Sequence, residues 1–142
     1  MTEHIDFLHL RDFAVSTATR AAELVAARRA ELVAGDGIAA HTSTKSSDVD
    51  PVTEVDTATE EFIATTIRTQ RPGDGIFGEE GANVESTSGV TWIVDPIDGT
   101  VNFLYGVPDF AVSIGAEYQG RLVAGAVVNV ARGRTYAAAA GQ

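Results

Sequence analysis

The sequence predicts an α+β protein in which two long helices pack on a largely antiparallel sheet. Helical patterns occupy 4–34 and 56–70, and several strand patterns follow from residue 76 onward. Helices that precede a run of strands, instead of alternating with them, are typical of α+β layering. The chain has 142 residues, 44% of them apolar, which is enough for one hydrophobic core, so we expect one domain over 1–142.

The first helix is predicted from His4 to Ala34. Its larger apolar side chains recur at roughly helical spacing, and alanine, the strongest helix former, is abundant between them. These side chains are Ile5, Leu8, Phe13, Leu24, Val25, Leu32 and Val33. We expect Gly35-Asp36-Gly37 to end this helix, before a polar stretch over 41–48.

The second helix is predicted from Asp56 to Gln70. Thr53 precedes it at the position of a capping residue, because a threonine side chain can accept a hydrogen bond from the first turn. The apolar face consists of Phe62, Ile63 and Ile67. The segment Arg71–Gly75 combines proline with glycine, which predicts a turn after the helix.

Strand patterns fill the rest of the chain. They cover Ile76–Phe77, Thr91–Val94, Phe110–Tyr118, Arg121–Val130 and Thr135–Ala139. Gln119-Gly120 joins the third of these segments to the fourth as a hairpin turn. The two segments that flank this turn are apolar on both faces, which predicts a sheet buried on both sides.

The charge and composition exclude several classes of protein. The net charge of −10 repels nucleic-acid phosphates, so we expect no nucleic-acid partner. The same charge repels a small phosphorylated substrate, which would need a bound divalent cation to attract it. The chain contains no cysteine, so disulfides and thiolate metal sites are excluded. With no basic leader before an apolar block and no membrane-length apolar run, we expect a cytoplasmic protein without a membrane partner.

The strongest chemical signal is the segment Asp95-Pro-Ile-Asp-Gly-Thr-Val-Asn-Phe103, which follows the predicted strand Thr91–Val94. Both aspartates are expected just past a strand end, where a rigid backbone can hold two carboxylates close together. Gly99 permits a tight turn, so the backbone amides of Gly99 and Thr100 can approach an anion. Carboxylate and carbonyl oxygens are the ligands that Mg²⁺ prefers. The alternative interpretation of Asp-x-x-Asp-Gly is an ordinary acidic turn.

This whole segment resembles the signature of the inositol monophosphatase family. Gly78-Glu-Glu-Gly81 is similar to a Gly-Glu-Glu segment of that family. Lys45-Ser-Ser-Asp48, together with Asp50-Pro-Val-Thr-Glu-Val-Asp56, is similar to a third segment. All three segments occur in the family's order. The resemblance implies the layered helix/sheet sandwich of the inositol monophosphatase/fructose-1,6-bisphosphatase type, of which the chain would form the first half.

The resemblance also implies roles for individual residues. The implied metal ligands are Glu79, Asp95, the carbonyl of Ile97 and Asp98, and they would hold roughly two or three Mg²⁺ ions, or Mn²⁺ in their place. The implied catalytic residues are Glu79, Thr100 and Asp56. Phosphate would be bound by the amides of Gly99 and Thr100, with Lys45 nearby.

The implied activity is Mg²⁺-dependent, lithium-sensitive hydrolysis of a small phosphate monoester, first of all inositol 1-phosphate, by a homodimer. Fructose 1,6-bisphosphate, histidinol phosphate and a phosphoadenosine nucleotide remain alternative substrates. A non-catalytic Mg²⁺-binding domain is a further alternative. Family members continue with a metal-binding aspartate in a Trp-Asp motif, which Trp92 cannot supply because Ile93 follows it. We therefore expect an N-terminal part that is inactive by itself, with the C-terminal part absent. Because the resemblance implies that the absent segment covers part of the sheet, we also expect this chain to expose an apolar patch.

Overall fold

The computed structural model describes residues 5–34 and 51–141. His4, the helix stop predicted at 35–37, the polar stretch at 41–48 and Lys45 lie outside these residues. The elements are α1 Phe7–Ala34, α2 Pro51–Gln70, β1 Gly75–Gly78, β2 Asn83–Val84, β3 Val90–Asp98, α3 Thr100–Tyr105, β4 Ala111–Tyr118, β5 Arg121–Asn129 and β6 Arg134–Ala139. Long helices followed by strands make this an α+β fold, as predicted.

The strands form one sheet in the order β2-β1-β3-β4-β5-β6. β1 is parallel to β3, and every other neighbouring pair is antiparallel. The predicted hairpin turn joins β4 to β5, with positive φ angles of 53° at Gln119 and 76° at Gly120. Two successive positive φ angles are typical of the turn whose twist matches that of the flanking strands. The largely antiparallel sheet is therefore confirmed.

α1 packs on β4 and β5 through several alanines together with some of the larger side chains that we predicted. Its buried face consists of Leu10, Ala14, Thr17, Ala18, Ala21, Ala22 and Val25. Leu8 and Val33 are 36% and 50% exposed, so the prediction is wrong for these two. Alanine brings a helix close to a sheet because no long side chain separates the backbones. No helix in the described part of the chain is long and apolar enough to cross a bilayer.

α2 begins at Pro51 and not at Asp56. Proline is favoured in the first turn of a helix, where its missing N–H would have no intrahelical partner. Thr53 consequently lies inside the first turn, so the cap predicted for it is wrong. Asp56 lies in the second turn, where the helix backbone holds its side chain in a fixed direction.

β3 runs from Val90 to Asp98, so Asp95 and Asp98 lie within a strand and not past its end as predicted. Asp95 pairs with Ser113 of β4, but Asp98 pairs with Ala111, which gives β3 one extra residue between the two aspartates. Such a β-bulge bends the strand and redirects its side chains. The two aspartates thus occupy a point where the regular sheet is interrupted.

The helices cover one face of the sheet and leave the other open. Trp92, Val112 and Ile114 point towards the helices and are almost fully buried. On the open face Leu122 is 66% exposed and Tyr136 is 59% exposed. A shallow groove of about 520 Å³ lies there between β4, β5 and β6. In the described residues, one apolar face of the sheet is thus uncovered, as expected for a chain without the segment that the resemblance implies on that face.

Candidate metal and phosphate site

The parallel pairing of β1 and β3 brings two of the predicted segments together. Gly78 pairs with Val94, so the next residues along the chain lie side by side, Glu79 just after β1 and Asp95 within β3. The backbone N–H of Glu79 donates to the carbonyl of Val94 at 3.3 Å. Carboxyl ends of neighbouring parallel strands are a common place for ligand sites in proteins with a parallel sheet. Glu79 is exposed, and Asp95 is half-buried.

The bulge of β3 leads directly into α3. Gly99 has a φ of 92° at the N-terminal end of α3, in the left-handed region that favours glycine. A Cβ atom on Gly99 would lie only 2.8 Å from the carbonyl oxygen of Asp109, so a side chain is also excluded sterically. The hydroxyl of Thr100 donates to the carbonyl of Ile97 at 3.3 Å. A hydroxyl and a carbonyl oxygen thus lie together at the junction of β3 and α3.

Contacts with α1 and with the following loop hold α3 in place. The Nε of Arg29 donates to the carbonyl of Phe103 at 2.9 Å. The rings of Phe103 and Phe110 meet edge to face with centroids 5.3 Å apart. The Nδ2 of Asn102 donates to the carbonyl of Asp109 at 2.8 Å. These contacts fix the position of Gly99 and Thr100 relative to the sheet.

Burial and mutual repulsion raise the pKa values of two carboxyl groups. Burial first, and then the charges of Glu80, Asp95 and Glu79, raise the pKa of Asp56 to about 7. Burial, followed by the charges of Glu79 and Asp98, raises the pKa of Asp95 to about 6. A hydrogen bond from the backbone of Ile97 opposes this shift in Asp95. The helix α2 therefore contributes Asp56 to the same acidic cluster as the ends of β1 and β3.

One oxygen of Asp95 is left without a partner. Its Oδ1 is buried and accepts no hydrogen bond from any described residue. A buried carboxylate oxygen without a partner is costly, and a cation at this point would remove the cost. The nearby donors are all oxygens, from carboxylates, a carbonyl and a hydroxyl, which is the set that Mg²⁺ or Mn²⁺ prefers. Within 5–34 and 51–141, no three acidic or histidine side chains lie close enough together to hold a metal ion by themselves.

The structure thus gathers most of the predicted site residues. The charge of Glu79 contributes to the raised pKa values of both Asp95 and Asp56, and the charge of Asp95 contributes to that of Asp56. Ile97, Asp98, Gly99 and Thr100 are consecutive at the bulge and the start of α3. Lys45 lies outside the described residues, so its predicted place near the phosphate stays a prediction. Sequence analysis missed Glu60, a buried acidic residue one helical turn after Asp56, because no local pattern distinguishes it from the exposed Glu61 beside it.

The layered fold and the acidic cluster at the ends of β1 and β3 define a class of α+β proteins whose site consists of oxygen donors. The model of the inositol monophosphatase family matches residues 7–142, and the chain belongs to this family. The family expected from the three sequence segments is thereby confirmed.

Individual relatives agree with this assignment. The chain is 52% identical to inositol-1-monophosphatase SuhB of Mycobacterium tuberculosis over 141 residues, which cover 93% of the chain and 48% of that protein. It is 44% identical to a histidinol-phosphatase of Chlorobaculum parvum over 94 residues, which cover 66% of the chain and 36% of that protein. A solved structure of Mycobacterium tuberculosis SuhB superposes with a TM-score of 0.79 at 45% identity, covering 97% of the chain and 47% of that structure. The chain spans about half the length of the curated relatives it matches.

Proposed function

We propose that the chain is the metal- and phosphate-binding part of a Mg²⁺-dependent phosphatase that hydrolyses a small phosphate monoester, inositol 1-phosphate first of all. The buried Oδ1 of Asp95 carries this proposal, because no described residue gives this oxygen a hydrogen bond and a cation would satisfy it. Support also comes from the relative at 52% identity, which is named an inositol-1-monophosphatase. We propose that this metal- and phosphate-binding part comprises residues 1–142.

In this proposal the cations would be held by Glu79, Asp95, Asp98 and the carbonyl of Ile97. When bound, Mg²⁺ supplies the positive charge that attracts a phosphate dianion and lowers the pKa of the attacking water. The net charge of −10 makes this local reversal of the field necessary for an anionic substrate. No group of the chain need become phosphorylated, since water attacks phosphorus directly.

The remaining steps belong to side chains and amides of the chain. The Thr100 hydroxyl donates to the carbonyl of Ile97, so its oxygen can accept a hydrogen bond from water. The other O–H of that water donates a hydrogen bond to the carboxylate of Glu79, which orients the water oxygen towards phosphorus. The amides of Gly99 and Thr100 donate to phosphate oxygens. Asp56 holds a further water in the cluster, and Lys45 adds positive charge beside the phosphate.

Metal binding by the isolated chain is the first test. Calorimetry is expected to show binding of Mg²⁺ or Mn²⁺, and Asp98→Asn should weaken it at least about tenfold, because a ligand charge is lost. Asp12→Asn is the matched control, since Asp12 is an exposed aspartate paired with Arg11 on α1. Equal affinity of Asp98→Asn and the unchanged chain would remove Asp98 from the metal shell.

The activity itself is tested on protein expressed from the complete reading frame of the gene. We expect phosphate release from inositol 1-phosphate that requires Mg²⁺ and is lost in Glu79→Gln. Lithium chloride should inhibit more strongly than potassium chloride at equal ionic strength, as the family resemblance implies. Undiminished turnover in the presence of a chelator would contradict the proposed mechanism.

Histidinol phosphate is the second candidate substrate, favoured by the relative from Chlorobaculum parvum at 44% identity. That relative matches through a smaller share of the chain, which places inositol 1-phosphate first. Comparison of kcat/KM for the two compounds, with fructose 1,6-bisphosphate and a phosphoadenosine nucleotide included, decides between them. We expect the protein to act as a cytoplasmic homodimer, which sedimentation of the full-length form would test.

A further inference from the structure

Glu60 is a buried carboxylate on α2, 3% exposed to solvent. Its Oε1 accepts a hydrogen bond from the backbone N–H of Glu80, and its Oε2 accepts one from the backbone N–H of Ala82, both at 2.9 Å. Both donors belong to the turn that follows β1, and this turn begins with Glu79. One side chain of the helix therefore holds the backbone just beyond the proposed metal ligand.

Apart from Glu60, the turn is held by backbone hydrogen bonds, from Glu79 N–H to the carbonyl of Val94 at 3.3 Å and from Gly81 N–H to the carbonyl of Gly78 at 3.3 Å. It connects β1 to β2, which comprises only Asn83 and Val84 at the edge of the sheet, both exposed. Inside the turn, Gly78 N–H donates to the carbonyl of Ala82 at 2.8 Å. Glu79 is exposed, so no packing around its own side chain fixes its direction. The two hydrogen bonds to Glu60 anchor the turn to a long helix.

The sequence leaves room for this anchor at Gly78. A Cβ atom there would lie 2.4 Å from Cδ of Glu60 and 2.6 Å from each of its carboxylate oxygens. The φ of Gly78 lies outside the left-handed region, so its conformation does not demand glycine. Glycine is required at this position because the Glu60 carboxylate lies so close that any side chain would push it away from the turn.

We propose that Glu60 is a positioning residue that directs Glu79 towards the bound cation by holding the backbone of Glu80 and Ala82. This inference rests on the metal-binding role proposed above for Glu79. Asp56 lies four residues before Glu60, on the same face of α2. The helix α2 thus supplies the carboxylate of Asp56 to the acidic cluster, and through Glu60 it supports the turn that carries Glu79.

Glu60→Gln tests the proposal in the metal-binding chain, with Glu61→Gln as the matched control. The side chain of Glu61 is 68% exposed on the same helix and contacts Arg68. A glutamine at 60 can accept only one of the two hydrogen bonds, because its amide NH₂ is a donor. We expect faster hydrogen exchange at the amides of Glu80 and Ala82, and Mg²⁺ affinity lowered about tenfold. Glu61→Gln should change neither quantity.

A double-mutant cycle of Gly78→Ala and Glu60→Ala tests the contact between Glu60 and the backbone at Gly78. Gly78→Ala places a methyl group against the Glu60 carboxylate, so it should weaken Mg²⁺ binding about as much as Glu60→Ala does, roughly tenfold. When Glu60→Ala is already present, the obstacle is gone, and Gly78→Ala should cause little further loss. Full additivity of the two losses would show that they do not act through one contact.

Glu79→Gln separates this inference from the function on which it rests. If Glu79→Gln leaves the Mg²⁺ affinity unchanged, the metal role of Glu79 fails, and the role of Glu60 fails with it. If Glu79→Gln weakens binding but Glu60→Gln does not, only the positioning role is overturned. A rise in hydrogen exchange throughout α2 and β3 in Glu60→Gln would also overturn it, because the residue would then support the fold generally.

Discussion

At the scale of single residues, the two shifted aspartates make stability depend on pH. The pKa of Asp56 is about 7 and that of Asp95 about 6 in the folded chain, against an ordinary value of 3.8. Between the ordinary and the raised values, the folded state binds more protons than the unfolded state. The free energy of unfolding therefore falls as the pH rises through this window.

The metal-free chain should consequently have a higher melting temperature at about pH 5 than at about pH 8. Added Mg²⁺ should raise the melting temperature more at the higher pH, where it meets ionised carboxylates instead of competing with protons. Differential scanning calorimetry in both buffers, with and without Mg²⁺, measures the two effects. Asp56→Asn should flatten the pH dependence, and Asp12→Asn should leave it unchanged. A melting temperature that rises between the two pH values would contradict the raised pKa values.

The sequence predicted the site residues that belong to motifs, but it did not predict residues that contact the site from another part of the chain. Glu79, Asp95 and Asp98 could be selected because their neighbours along the chain form recognisable segments. Glu60 resembles an ordinary charged residue of a helix surface, next to the exposed Glu61. Its burial arises from contact with a turn twenty residues further along, and no local pattern records that contact.

At the scale of the elements, a buried network around Asp74 joins the end of α2 to β3. The Nε1 of Trp92 donates to Oδ2 of Asp74 at 2.8 Å, and the hydroxyl of Ser88 donates to Oδ1 at 2.6 Å. Arg71 forms an ion pair with the same carboxylate, which is 5% exposed. The network fixes the turn before β1 against the strand that carries the site aspartates.

Asp74→Ala should lower the free energy of unfolding by about 3 kcal/mol, because it leaves the buried Trp92 N–H and the Arg71 charge without their partner. Asp12→Ala removes an exposed ion pair and should cost at most about 1 kcal/mol. Urea unfolding followed by the fluorescence of Trp92 compares the two variants. Equal losses in both would show that the Asp74 network is not a major support of the sheet.

Element types were more predictable than element limits. The strands of the β4–β5 hairpin were placed to within one residue, since turn chemistry and β-formers bound them. β2 and α3 were missed because they are too short for periodicity, with two and six residues. β2 exists through its pairing with β1, and α3 is set between Gly99 and Gly106, both in the left-handed region.

At the scale of the whole molecule, the sheet has helices on one face and an open apolar face on the other. The large side chains Ile93, Leu122, Val127 and Tyr136 are each at least 38% exposed. Gly115 and Gly125 pair across β4 and β5 and line the groove between β4 and β6. The α+β class followed from the order of helices and strands. Apolar strands indicated that both faces need covering, but they could not indicate what covers the second face.

The isolated chain should therefore associate with itself, because apolar surface of this extent is stabilised by burial. Sedimentation velocity at micromolar concentration is expected to show dimers or larger species. Leu122→Gln combined with Tyr136→Gln should shift the distribution towards monomer, since both side chains lie on the open face. Val33→Gln is the control, because Val33 is 50% exposed on α1, away from that face.

The same samples should release negligible phosphate from inositol 1-phosphate, whether associated or not. The curated relatives are about twice as long as the matched region, and the proposed site draws its described residues from this region alone. Residues that complete the cation shell and contact the alcohol would have to come from elsewhere. A well-behaved monomer with substantial Mg²⁺-dependent turnover would contradict both expectations. It would show that the open face is tolerated in water and that Glu79, Asp95, Asp98 and Thr100 suffice for hydrolysis.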